Sequence, residues 1–318
     1  MSKVSRRSPS LKGHLQQILV HLNMQPPIPQ HRINDGVTVP VPPFSNNVLI
    51  AGFNDEGKIM PRQYPHRHAY YEILLLHRSK GVHYVDFVAY PFEGAVVFLL
   101  SPEQVHQLNR EGSNGYTLRF DPAFFSSGND PDSQLLGHFL FDNMQACPVI
   151  PLEETELARL DNLLGIAQDE FNRGGDDATQ ILFSYIRVIL MEVMRIRRRQ
   201  LGEAHLLPGA PQTQLLQFKL LLHRHFHELH EVQDYASRMH ITPRQLNSIT
   251  QRFTGKTAGS LIRERILLEA KRLLFLNELT IKEAGYRIGF DDPAYFTRFF
   301  KKNTGISPQQ FRDNTPQA

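Results

Sequence analysis

Residues 281–312, IKEAGYRIGFDDPAYFTRFFKKNTGISPQQFR, spell two short helices around a glycine turn. Thr280 stands just before the first, with Glu283 three residues on, the reciprocal capping pair that opens a helix. Gly289 interrupts the pattern, and Asp292 followed by Pro293 opens a second helix that Gly305 is placed to stop. Helix, tight turn and helix together predict a helix-turn-helix unit.

The same pattern occurs fifty residues earlier. Pro243 aligns with Pro293, Leu246 with Phe296, Arg252 with Lys302, and Thr254-Gly255 with Thr304-Gly305. VQDYASRMHI followed by TPRQLNSITQRF, with Thr242 as cap, therefore predicts a first unit of the same kind. Between the units, residues 261–277 place Leu261, Ile262, Ile266, Ala270, Leu273 and Leu274 on one side of a bridging helix.

Charge separates this region from the rest. Residues 215–318 hold 16 Lys and Arg against 10 Asp and Glu, a net +6, leaving −3 for residues 1–214 of a chain whose net charge is +3. A basic module on an acidic body suits a polyanion such as double-stranded DNA. A helix-turn-helix places its second helix in the major groove, and two such helices on one domain suit successive grooves.

The 318-residue chain suits more than one domain. Its hydrophobic fraction of 41% and the absence of a long apolar run predict a soluble protein with no membrane partner. Cys147 is the only cysteine, which excludes an internal disulfide framework, suits a cytoplasmic location, and reads as a small core residue. Residues 1–30 read as a flexible basic arm and a candidate lid. Residues 31–150, with YYEILLL, VHYVDFVAYPF, AVVFLLS and GYTLRF between turns, predict a sandwich or small barrel. Residues 151–203 predict a helical pair that either packs on the barrel or forms a dimer seam, and 204–213 a linker ahead of the helical domain at 214–318.

His66, His68 and Glu72 fall on even positions of one predicted strand, so they share a face. Two imidazoles and a carboxylate suit a transition metal or the polar wall of a small-molecule pocket. His77 and His83 lack a second ligand at useful spacing, and His223, His225, His227 and His230 read as a solvated helix face.

The second helix-turn-helix unit resembles the signature of AraC/XylS-type transcriptional regulators, over about the last hundred residues. That resemblance implies two helix-turn-helix units joined by a long helix. It places Arg244, Asn247, Ser248 and Gln251 of the first recognition helix, and Ala294, Thr297, Arg298 and Lys301 of the second, on DNA; Phe290, Phe296, Phe299 and Phe300 read as core, as aromatic residues at helical spacing usually do. The first unit departs from the pattern at Ser248, Thr250 and Phe253. The amino-terminal region resembles the cupin-like sensor barrel of such regulators, through His66, His68, Glu72, Gly81, Ser101-Pro102 and His106. In metal-dependent cupins the two histidines, glutamate and final histidine hold an ion. In the sensors they line an effector pocket, which is the role expected here, with no resident metal or cofactor. The expectation is an α+β chain acting as an effector-controlled, homodimeric transcription regulator, with RNA polymerase a candidate partner and no catalytic residues. The competing reading is a metal-dependent cupin enzyme that carries a DNA-binding appendage.

Overall fold

Residues 30–33, 47–53, 64–112, 114–125, 136–137, 140–141, 147–201 and 210–314 are described by the structure, a computed structural model. The expected arm, apart from Gln30, and most of the expected linker lie outside the described residues. Strands come first: β1 (Gln30–His31), β2 (Val48–Phe53), β3 (Arg67–His68), β4 (Tyr71–Val85), β5 (Val88–Leu100), β6 (His106–Glu111), β7 (Gly115–Phe120) and β8 (Val149–Pro151). A six-stranded sheet runs in the order β2-β7-β4-β5-β8, with β6 also paired to β4, while β1 and β3 form a separate parallel pair. The expected α+β order holds, and among the described residues no pairing closes the sheet into a ring.

β4 organises this domain. Its first half pairs with β7, Glu72 opposite Arg119, and its second half with β6, Val85 opposite His106. Against β5 the register slips by one residue between Leu76 and Ser79. A slip of one residue exchanges the faces of a strand, so even positions before it and odd positions after it look the same way. Gly81 is needed because a Cβ there would lie 2.1 Å from the Asn109 carbonyl oxygen on β6.

Two long helices follow, α1 (Glu154–Arg173) and α2 (Ala178–Leu201). Leu160, Leu164, Leu182, Ile186 and Leu190 share one core with Ile50, Leu75, Val97 and Leu118 of the sheet, so the pair packs on the strands. Ile181, Val188 and Met191 remain exposed on the outer face of α2. Cys147, expected in the core, is exposed in the short segment before β8, which corrects that expectation.

The carboxy-terminal domain consists of α3 (Ala210–His225), α4 (Val232–Arg238), α5 (Pro243–Thr254), α6 (Ala258–Leu276), α7 (Ile281–Arg287), α8 (Pro293–Thr304) and α9 (Pro308–Asp313). α3 begins inside the segment expected as linker and ends at His225, so the four histidines from 223 to 230 do not share one helix. The predicted caps form. Thr242 accepts from the Gln245 N–H, Thr280 from Glu283, and Asp292 from Ala294 and Tyr295, while Gly255 and Gly305 end α5 and α8 in the left-handed region. Leu246, Leu261, Ile262, Leu274, Ile288, Phe296, Phe300 and Phe311 fill one core. Phe290 is buried with them, and Phe299 packs partly buried against them.

Candidate DNA-binding face and sensor cluster

Each recognition helix buries one stripe and leaves another to solvent. In α5, Leu246 and Thr250 face the core while Arg244, Ser248 and Gln251 are exposed. In α8, Phe296, Phe300 and Thr304 are buried while Ala294, Arg298 and Lys301 are exposed. The two remaining expected contacts, Asn247 and Thr297, are half-buried. Asn247 Oδ1 accepts the N–H of Ala258 at 3.0 Å and so caps α6, and the Thr297 hydroxyl donates to the Pro293 carbonyl at 2.9 Å. Asn247 keeps its amide NH2 for other partners. Arg298 lies 3.5 Å from Asp292 and over the ring of Tyr295.

Tyr295 is 56% exposed and Tyr286 46%, a pair of large rings in water that sequence reasoning missed. Their apolar character hid them, since aromatic residues at helical spacing usually read as core. Only the completed packing, with Phe290, Phe296 and Phe300 filling the interior, leaves Tyr295 outside.

Residues 235–314 match the helix-turn-helix domain family. This quarter of the chain is a helix-turn-helix domain, of the AraC type. The likeness extends upstream of it. A Bacillus subtilis HTH-type transcriptional regulator, YfiF, is 26% identical over 257 residues, 78% of each chain. The transcriptional activator RhaR of Yersinia pestis is 23% identical over 262 residues, covering 78% of this chain and 83% of its own. Among solved structures, ToxT of Vibrio cholerae aligns over 84% of this chain and 98% of its own with 13% identity and a TM-score of 0.41.

In the amino-terminal domain the expected residues converge. His66 and His106 form a reciprocal backbone bridge, N–H to carbonyl at 3.0 and 2.9 Å, which sets their rings 4.1 Å apart between centroids. His68 stacks on Tyr70, and its ring centroid lies 5.0 Å from that of His106. Ligand atoms of His68, Glu72 and His106 all lie within 4.8 Å of one another. His66 adjoins this group without belonging to it.

Hydrogen bonds fix how these groups face one another. His66 Nδ1 lies 2.8 Å from the Tyr64 carbonyl oxygen and His68 Nδ1 2.7 Å from that of Tyr70. A carbonyl only accepts, so Nδ1 carries a proton in each ring, and in neutral His68 this leaves Nε2 a bare lone pair. Glu72 Oε1 accepts from Thr117 at 2.9 Å and from Arg119 Nε at 3.0 Å, leaving Oε2 3.7 Å from His68 Nε2. His83, set aside on the sequence, joins the cluster, its Nε2 3.1 Å from His106 Nδ1. The register slip in β4 explains this, because it turns odd-numbered His83 to the side of even-numbered Glu72.

Burial holds the His68 pKa down to about 4 and that of His83 to about 3, and pushes His106 well below the usual imidazole value. Burial alone would raise Glu72, but Arg119 and then His68 bring it down to about 2. The cluster is thus three neutral imidazoles beside a carboxylate paired with a guanidinium. Nε2 of His68 and Nε2 of His106 are buried with no hydrogen-bond partner. Two inward-facing imidazole nitrogens and a carboxylate oxygen, with the remaining ring nitrogens tied down, fit a divalent transition metal. His68, His106 and Glu72 would hold it, with His83 orienting His106. Such an ion would supply a buried positive charge beside Glu72.

Proposed function

We propose that this protein is a sequence-specific, DNA-binding transcription regulator of the AraC type, cytoplasmic, and controlled by a small effector sensed in its amino-terminal domain. The observation that carries this reading is the pair of equivalent helices, α5 and α8. Each is capped and anchored alike, and each presents basic and amide side chains to solvent on a domain of net positive charge. Regulators that share similarity over more than the carboxy-terminal domain support it. Arg244, Ser248 and Gln251 of α5 and Ala294, Thr297, Arg298 and Lys301 of α8 are the proposed readers of base edges or phosphates, and Asn247 contributes through its NH2. Selection of bound duplexes from a random pool by the full chain at low salt tests the reading, and failure to enrich any motif would sink it.

His66, His68, Glu72 and His106 are the proposed effector wall. A second reading of the same cluster is favoured by the two unpartnered Nε2 atoms: the signal is itself a divalent transition metal, held as regulator input or, in a cupin enzyme, as a Lewis acid. Metal analysis of the purified chain and of His68→Ala separates the two, since only the metal reading expects one equivalent that the substitution removes. A homodimer through the exposed face of α2 and contact with RNA polymerase complete the proposal.

A further inference from the structure

Strands β4 and β5 are joined by two residues, Asp86 and Phe87, both at positive φ, 46° and 70°. Two-residue hairpin turns of this form favour Asn-Gly, and a bulky ring at positive φ is strained. A tip that only had to reverse the chain would carry glycine. Here the ring is buried in the other domain. Phe87 is 9% exposed, lies edge-on to Phe275 of α6 at 5.0 Å and to Phe311 of α9 at 5.8 Å, and belongs to the carboxy-terminal core.

Beside it, the Asp86 carboxylate accepts two hydrogen bonds from Arg272 of α6, at 2.8 and 2.6 Å. Both side chains are nearly buried, and Glu269 also reaches Arg272 at 3.4 Å. On its own domain Asp86 is held by Gln104 at 2.9 Å, and its N–H donates to the Val105 carbonyl at 2.9 Å. Val105 immediately precedes His106. A second link repeats the arrangement: Arg67, between His66 and His68, bonds Glu103 at 3.1 Å and Glu278, just past the end of α6, at 3.1 Å. Two of the segments that carry the histidine cluster are therefore one residue away from a contact with the bridging helix region.

We propose that Asp86 and Phe87, seconded by Arg67, form a latch that transmits the state of the histidine cluster to α6. That helix joins the two helix-turn-helix units, so its packing sets their relative placement and with it the fit to two successive grooves. The contacts fall on α6 and α9, so the latch acts by positioning the units and not by covering the exposed faces of α5 and α8. Strain at the tip suits such a part, because the burial of Phe87 and the Arg272 pair must offset it, so losing them leaves the tip free to rearrange. The regulatory role rests on the regulator reading above, whereas the mechanical coupling does not.

The test is a double-mutant cycle on the full chain, read by amide hydrogen exchange over residues 270–276. His106→Gln perturbs the cluster and Asp86→Asn removes the latch carboxylate. Each alone should speed exchange in α6 by roughly tenfold, and the two together no more than either one, because coupled sites are not additive. Effects that multiply would overturn the latch. Phe87→Gly guards against a variant that fails to fold, since glycine suits the turn. It should also abolish the response of α6 to His106→Gln, and a response that persists overturns the proposal. The affinity of the same variants for a duplex selected on the parent chain reads the regulatory role separately. Exchange coupling without any DNA binding would leave the latch standing and remove the regulator.

Discussion

The carbonyl oxygen of His227 lies so close to Gly289 that a Cβ added there would sit 2.1 Å from it. Gly289 also has φ +87°, in the turn between α7 and α8. The loop after α3 is thereby pressed onto the turn of the second helix-turn-helix unit, and His230 Nε2 bonds the Ile288 carbonyl at 2.9 Å beside it. Gly289→Ala should destabilise the domain by about 2 kcal/mol or more, from the left-handed backbone together with the clash. Denaturant unfolding checks this, and a loss near zero would mean that the loop yields freely.

Arg298 is the second test case. It is exposed on α8, tethered by a long contact to exposed Asp292 and by the ring of exposed Tyr295. If it reads a base, Arg298→Ala costs roughly 1–3 kcal/mol on the selected duplex and far less on random DNA. Equal loss on both, measured by fluorescence anisotropy, makes it a phosphate contact. Affinity for either duplex should also fall steeply with salt as counterions return.

How much of this was legible in the sequence follows the range of the interactions. Thr242, Thr280 and Asp292 cap helices within three residues of themselves, so the caps and both units could be read locally. The burial of Phe296 and Phe300 followed from helical spacing. Four features needed tertiary information. His83 entered the cluster only through a one-residue slip in β4, which inverts the strand's parity. Asp86 and Arg272 meet across 186 positions, beyond any local pattern. Cys147 lies exposed immediately ahead of buried Pro148 and Ile150, and Asn247 is drawn toward α6 by the Ala258 N–H, which the Thr257 cap leaves to another acceptor.

The buried imidazoles give the protein a dependence on pH. His68 and His83 are held near 4 and 3, against 6.5 for a free histidine, so the unfolded chain binds more protons once pH falls below about 6.5. Stability therefore rises with pH across this window and is lost on acidification from about pH 6.5 toward pH 3, with about 3 kcal/mol from His68 alone. Glu72, held near 2, adds a loss of the same sign below its unfolded value of 4.5. Unfolding in denaturant at pH 7.5, 6, 5 and 4 reads the slope, and a flat profile between 6.5 and 4.5 would contradict the neutral cluster.

Ile181, Val188 and Met191 are 38%, 49% and 51% exposed and fall at i, i+7 and i+10 on α2, a repeat that suits pairing with a second copy. Val188→Glu with Met191→Glu should convert a dimer to a monomer with little loss of unfolding free energy per chain. Sedimentation at micromolar concentration checks this, and a parent chain that is already monomeric removes the dimer from the account.

The central claim is that α5 and α8 read DNA together. Selection from random duplexes by the full chain, followed by sequencing, tests it most directly. The account predicts a motif with two blocks spaced by about one helical turn, of which Arg298→Ala relaxes one and Arg244→Ala the other. No enriched motif at low salt, or a single block indifferent to both substitutions, would contradict it.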